Sequence, residues 1–413
     1  MRHCLGVNLF LLATLVFAPG VQAESWVSAW FMAPQAVPQA ADAPPWLRPP
    51  LIEDATVRQL VRPTLSGSAL RLRISNRYGT KPLYLDRVTV GVARGIGGVV
   101  PGSLHKATFA GRNAVTIMPG KSALSDPVHT QVVGGRLLAV SLYVPGSVRP
   151  RTWHQIAGRV NFLSRRGDHA MNVTGTAFVH RNTHIFWLDG VDILAPRSWA
   201  VVAIGDSITD GLKATLNAHQ RWPDALSERL RAAGFDHVAV LNAGISGNRL
   251  LHDSACYGQR LESRFVRDAL KRAGVRAVIV LIGVNDINFG YVPPSSGLDC
   301  DARHVKVTAS ALIEGYRRLI AQARAHGVKI YAGTLTPAAL PPEREAIRTR
   351  VNAWIRNSRA FDGVVDFDAA LRDPHQPSRL LPRADSGDGI HPGDEGDKMM
   401  AAAVPLAWFA SGP

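Results

Sequence analysis

Between residues 24 and 197, apolar residues recur at every second position in short runs. Residues 69–75 read Ala-Leu-Arg-Leu-Arg-Ile-Ser, the period of a strand with one buried face. Stretches 83–93, 136–144 and 178–188 repeat the pattern, separated by turn residues at 76–79, 95–98 and 145–146. No helix longer than two turns is expected here, and the segment reads as an antiparallel, jelly-roll-like β-sandwich. Near residue 198 the period changes. Runs at 200–204, 238–241, 277–282, 328–332 and 364–366 are continuously apolar, as parallel strands covered on both faces are. Between them, Leu312, Ile313, Tyr316, Leu319, Ile320 and Ala323 form a helical stripe ended by Gly327, and Leu226 and Leu230 lead to Gly234. Helices are also expected over 259–273, 342–358 and 394–410. This alternation predicts a three-layer α/β domain over 198–413, with its site at the carboxyl ends of the strands.

The first 23 residues fit neither half. Arg2 precedes an apolar run at 9–17, and Val21-Gln22-Ala23 ends on a small residue. That is the pattern of a cleaved export signal, placing the protein in the periplasm or outside the cell. The run is far shorter than the roughly 20 residues needed to span a bilayer. Cys4 leaves with the signal. Cys256 and Cys300 remain, an even count in an oxidising compartment, which predicts one disulfide, with two free buried thiols as the alternative.

Charge alters the picture once it is divided. The chain of 413 residues has a formal net charge of +15, a value that by itself suggests a polyanion partner. Residues 24–199 hold 20 basic and 9 acidic residues, and residues 200–413 hold 26 and 23. The excess belongs to the β half, where it reads either as a surface for an acidic polymer or as a solvated, arginine-rich face. Nucleic acid is not expected as a partner, because the chain is exported and has no recognised binding motif. Gly95-Ile-Gly-Gly98 is no dinucleotide loop, since it neither follows a clear strand nor opens a helix. No His/Cys cluster has zinc spacing, and the acidic loop around Asp385, Asp394 and Asp397 lacks the EF-hand pattern. Neither metal nor cofactor is expected. Asn172-Val-Thr matches a glycosylation sequon, a pattern common by chance.

The candidate chemistry lies at the predicted strand ends. The first α/β strand runs into Gly205-Asp206-Ser207-Ile208, which puts a serine at the mouth of the sheet. Asn242–Arg249 follows the second strand and Gly283-Val-Asn285-Asp286-Ile the third. Asp388-Gly-Ile-His391 precedes the last helix. An Asp three residues before a His can hold its Nδ1–H and leave Nε2 to face a nucleophile. The order Ser, Asp, His is that of one triad type. The N–H of Ser207, the N–H of Gly247 and the amide of Asn285 are candidate donors to a developing oxyanion. Asp206, Asn248, Arg249, Asp286 and Asn288 are candidates for substrate contact or for support of the site.

These four blocks resemble those of the GDSL esterases, or SGNH hydrolases, whose Ser, Gly, Asn and His match Ser207, Gly247, Asn285 and His391; Ile208 stands where Leu is usual. The resemblance covers nearly all of 198–410. It implies a flavodoxin-like fold, a Ser207-His391-Asp388 site and no cofactor. The longer match through GDSITDG, RWPDAL, NAGISGNRLL and GVNDI is similar to arylesterase and acylhydrolase-like proteins of xylan-degrading loci, which often carry an N-terminal β domain. The implied function is hydrolysis of carboxylic esters, with acetyl groups on an extracellular polysaccharide the expected substrate. A lysophospholipase would need a long apolar groove. A glycan-binding protein with a decayed hydrolase domain is the competing class, and the full set of site residues argues against decay. Neither the sequence nor the resemblance indicates an oligomeric state.

Overall fold

The computed structural model describes residues 25–39, 47–291 and 305–410. The expected export signal, Cys4 and Cys300 lie outside them.

The described residues of the β half form two large antiparallel sheets and two small ones, of three and two strands. In the first, Ser25–Phe31, Leu188–Ala195 and Gly67–Ser75 lie side by side, and Ser122–Leu124 and Val128–Val132 both pair with Gly67–Ser75. In the second, Asn161–Arg166, Ile52–Val61, Leu138–Val148 and Arg87–Arg94 follow in that order, with short strands at each end. Register puts one face of each sheet inward. Leu142 stands opposite both Val57 and Val88, and all three are fully buried.

Three expectations for this half need correction. The strand expected over 136–144 runs from Leu138 to Val148, and residues 145–146 make a register shift in it where a turn was expected. Stretch 83–93 is two strands, Leu83–Leu85 and Arg87–Arg94. Stretch 178–188 is not one strand. It breaks into His180–Asn182 and Ile185–Phe186, and Trp187 takes a φ of 60° before Leu188–Ala195 begins. That backbone conformation cannot continue a strand, and alternation alone does not reveal it.

Part of the basic excess is spent inside this half. Arg58 is fully buried, and its guanidinium donates to Ser141 Oγ at 2.8 Å, Gly97 O at 2.7 Å and Asn172 O at 2.9 Å. Burial lowers its pKa to about 10. Arg71 pairs with the buried Asp192 at 3.1 Å.

The α/β half is a five-stranded parallel sheet. Its strands are β1 (Trp199–Gly205), β2 (Val238–Gly244), β3 (Val275–Leu281), β4 (Lys329–Gly333) and β5 (Gly363–Val365). Their spatial order is β2-β1-β3-β4-β5, the doubly wound order with its crevice beside β1. Flanking helices are α1 (Ser207–Asp210), α2 (Trp222–Ala232), α3 (Leu261–Phe265), α4 (Val284–Phe289), α5 (Ala309–Ala325), α6 (Pro342–Asn357), α7 (Phe367–Leu371) and α8 (Asp394–Ala403). The α5 stripe is buried as its spacing requires, except for the half-buried Ile313, and Thr308 caps its first turn. Two helices are shorter than expected. Residues 259–273 form α3 and then a wider π turn, Val266–Leu270. The last helix stops at Ala403, ahead of Pro405, which cannot continue it, and Leu406–Phe409 forms a separate 3₁₀ turn. No helix among the described residues is long and apolar enough to cross a membrane.

The two halves share one hydrophobic core, which runs from Val27, Phe31 and Leu65 to Val201, Val240 and Leu226. Polar contacts cross the same boundary. Ser28 N–H donates to Ala273 O at 2.9 Å, Val240 N–H donates to Thr64 Oγ1 at 3.1 Å, and Arg62 pairs with Glu228.

Candidate active site

Three strand ends align in register. Gly205 stands opposite Gly244 on one side and Leu281 on the other, so the segments after β1, β2 and β3 emerge at one edge. The fit is tight there: a Cβ on Gly205 would lie 2.1 Å from Leu281 O.

Asp206 caps the short α1, accepting from Ile208 N–H at 3.1 Å. Ser207 opens the helix, where the first N–H groups have no acceptor within the helix. Ser207 Oγ is 2.8 Å from His391 Nε2, and His391 Nδ1 is 2.8 Å from Asp388 Oδ2. The other Asp388 oxygen accepts from His391 N–H at 2.9 Å and Ile390 N–H at 3.0 Å. Partial burial raises the Asp388 pKa, but the bonds from His391 and Ile390 outweigh it and hold the carboxyl below its ordinary value. The carboxylate is therefore ionised wherever His391 could act as a base. Lys213 Nζ, which the sequence reading did not single out, lies 3.9 Å from Asp388 Oδ2, half exposed.

Gly247 follows β2 with a φ of 77°, and a Cβ there would meet the Tyr257 ring at 2.4 Å. Both constraints call for glycine. Asn285, in the first turn of α4, donates one amide hydrogen to Asn248 O at 3.1 Å. An amide nitrogen carries two hydrogens, so the second remains for a ligand. The structure thus brings the serine, histidine and aspartate together, with Gly247 and Asn285 on the adjoining strand-end segments.

Residues 203–399 match the GDSL-like lipase/acylhydrolase family. The α/β half belongs to the GDSL family. The protein is a carboxylic ester hydrolase. Similar solved structures include Axe2, an acetylxylan esterase from Geobacillus stearothermophilus, at 23% identity over 51% of this chain and 94% of that one, TM-score 0.37. LAE5, an α/β hydrolase from the Lake Arreo metagenome, is 23% identical over 51% of this chain and 94% of its own, TM-score 0.38. A GDSL-like lipase from Bacteroides thetaiotaomicron is 18% identical over 50% and 86%, TM-score 0.35. No curated protein matches the chain.

The further candidates around the GDSL site are spent on support. Asn248 is fully buried, donating to Tyr257 O and Gln259 O at 2.8 and 2.9 Å. Asp286 is buried, accepting Leu250 N–H at 2.7 Å and Leu251 N–H at 2.9 Å. Arg249 donates to Asp253 O at 2.7 Å, and Asn288 accepts from Arg344. In the acidic loop, Asp385 accepts from Gly387 N–H and Gly389 N–H at 2.8 and 3.0 Å. Asp394 and Asp397 accept from Thr215 N–H and Trp222 N–H at 2.8 and 3.1 Å. These carboxylates order the loop and the start of α2.

Arg264 was not visible as a site residue in the sequence. It is fully buried under the strand ends, and its guanidinium donates to Gly205 O at 2.9 Å, Ala243 O at 2.8 Å and Asn248 Oδ1 at 3.0 Å. One cation thus joins the ends of β1 and β2 to the Gly247 loop. Burial lowers its pKa to about 10, against the pull of Asp268. Only its place four residues before Asp268 on a helix hinted at a pair.

Asp206 and Asp286 are buried acids with raised pKa values. Burial lifts Asp206 to about 7, opposed by Ile208 N–H and reinforced by Asp286. Burial lifts Asp286 to about 6, opposed by Leu250 and Leu251 N–H. A carboxyl raised on folding contributes stability that is full below its unfolded pKa, about 4, and is lost as pH rises through its folded value. Asp206→Asn keeps an acceptor for Ile208 N–H and cannot ionise. The decline in melting temperature between pH 5 and pH 8 should therefore be shallower for Asp206→Asn than for the wild type, measured by thermal unfolding in matched buffers. Parallel curves would show that Asp206 does not titrate in this range.

Proposed function

We propose that this hydrolase is an exported serine esterase that removes short acyl groups, acetyl foremost, from a carbohydrate. The observation that carries the catalytic reading is the unbroken chain from Ser207 Oγ through His391 to Asp388, with both links at 2.8 Å. His391 Nε2 takes the Ser207 proton as Oγ attacks the ester carbonyl. Asp388 holds the ring and stabilises its charged form. Ser207 N–H, Gly247 N–H and the free Asn285 N–H donate to the oxyanion. His391 then protonates the departing alcohol. Water, deprotonated by His391, attacks the acyl-serine, and collapse returns the free acid and Ser207.

An aromatic wall beside Gly247 supports the carbohydrate reading. The Tyr257 ring lies against Gly247 and stacks on Phe289 at 5.4 Å, and Arg249 packs over Phe289. Both rings are half-buried, and the parts left open give the site an apolar flank suited to the apolar side of a sugar ring. Residues 1–23 and the even cysteine count support export. Cys256 is buried in the loop that leads to Tyr257, and a disulfide to Cys300 would tie that loop to the one after α4. Two titratable thiols in denatured, unreduced protein would exclude the bond.

Purified Ser207→Ala should be nearly inactive toward p-nitrophenyl acetate. Asn285→Ala should fold and lose about 10²–10³ in kcat. Wild-type-like turnover by Ser207→Ala would remove Ser207 from the mechanism. Across a chain-length series of p-nitrophenyl esters run beside acetylated xylan, activity should be greatest for acetyl and should extend to the polymer. A preference for acyl chains of about eight carbons or more, too long for a compact pocket, would instead point to a lysophospholipase.

A further inference from the structure

The β half reaches under this site through one histidine. His154, on the strand Thr152–His154, is buried, and both of its ring nitrogens face oxygen acceptors. Nδ1 is 2.9 Å from Ala33 O. Nε2 is 3.0 Å from Asp210 Oδ1 and 3.1 Å from Ile156 O. A neutral imidazole donates from one nitrogen only. Acceptors on both sides are satisfied together by the imidazolium, which makes His154 and Asp210 a buried ion pair joining the two halves.

Asp210 is the last residue of α1, the turn that Ser207 opens, and its N–H donates to Asp206 O at 2.8 Å. Its second oxygen accepts from Ser246 N–H at 2.9 Å and Ser246 Oγ–H at 2.7 Å. Ser246 immediately precedes Gly247. One carboxylate thus ties the serine turn to the Gly247 loop, and its other oxygen is held from the β half.

We infer that His154 is a positioning residue for ester hydrolysis: it fixes Asp210, which in turn sets Ser207 and the Gly247 N–H at the spacing that the oxyanion requires. The inference rests on the catalytic reading of Ser207 and Gly247 given above. It assigns the β half a part in catalysis, distinct from any binding of a polymer. The charged state has electrostatic support. Burial alone would lower the His154 pKa, but Asp210 and Ala33 O raise it overall, against the opposing charge of Arg221. Nearby, burial lowers the pKa of His184, and charge on His154 lowers it further.

Two amides separate the role of each ring nitrogen. In His154→Gln the amide nitrogen takes the place of Nε2 and can donate to Asp210. In His154→Asn it takes the place of Nδ1 and reaches toward Ala33 O only. Both are assayed in the full chain with p-nitrophenyl acetate, and kcat is normalised to the serine titrated by a fluorophosphonate. His154→Asn should lose about tenfold or more in kcat per titrated serine, as small misplacements of reacting groups do, with KM within about twofold of wild type. His154→Gln should recover most of that loss. Equal kcat per titrated serine in wild type, Gln and Asn variants would overturn the inference, as would a loss confined to the fraction of titratable enzyme. An equal loss in both variants would also overturn it, because the Asp210 bond would not be the one that matters. Ser207→Ala, run alongside, should neither titrate nor turn over. If it does turn over, the catalytic reading fails, whatever the His154 variants do.

Discussion

The mouth of the sheet depends on one buried cation. Arg264 is bonded to Gly205 O, Ala243 O and Asn248 Oδ1 at 2.8–3.0 Å, so the peptides that deliver Ser207 and Gly247 share a single rigid partner. Gly205 O already accepts from Ile245 N–H at 3.1 Å, and the guanidinium gives it a second donor where protein covers the strand ends. A guanidinium supplies several in a fixed plane. Removing it would take from each acceptor a bond to a charged donor, a loss of about 1.5–3 kcal/mol apiece. The helix that carries Arg264 widens into a π turn over Val266–Leu270, where Lys271 N–H reaches back to Val266 O at 2.9 Å. Such widenings are common beside functional sites.

Around that anchor, the chain places its chemistry on two scales. Local bonds orient individual groups: Asp388 holds the loop that carries His391, Asp286 holds the segment after Gly247, and Asp206 caps the serine turn. Long-range bonds place these groups against each other. Asn285 donates to Asn248 O, His391 meets Ser207, and Asp210 couples the serine turn to Ser246. The continuous core and the His154–Asp210 pair make the β half part of this second scale. Its edge strand Ser25–Phe31 lies against β1 and β2, so the sheet that bears the serine is packed against the sandwich as well as by its own helices.

Much of this was legible in the sequence, and the reason lies in the kind of signal. Strands β1 to β5 are continuous apolar runs, and each was located to within three residues at either end because no helix of that length fits between its turn signals. The Ser207, Gly247, Asn285 and His391 blocks were legible because each follows a strand or precedes a helix at a fixed spacing. What escaped was set by tertiary context. Trp187 breaks a segment whose alternation reads as one strand, and Pro405 ends α8 earlier than its pattern suggested. Arg264 reads as one more surface arginine until the strand ends close over it. His154 lies 56 positions from Asp210, and no local pattern relates them. Asn248 and Asp286, read as candidates for substrate contact or for support of the site, make backbone bonds that only the folded loops reveal.

The central claim is that Ser207 carries the acyl group between the two half-reactions, and covalent trapping tests it most directly. Enzyme mixed with excess p-nitrophenyl acetate, quenched in acid within milliseconds and digested, should yield one acetylated peptide, the one that contains Ser207, in step with the burst of nitrophenol. Acetyl on a different residue, or steady turnover of the ester with Ser207 unmodified at every quench time, would contradict the account.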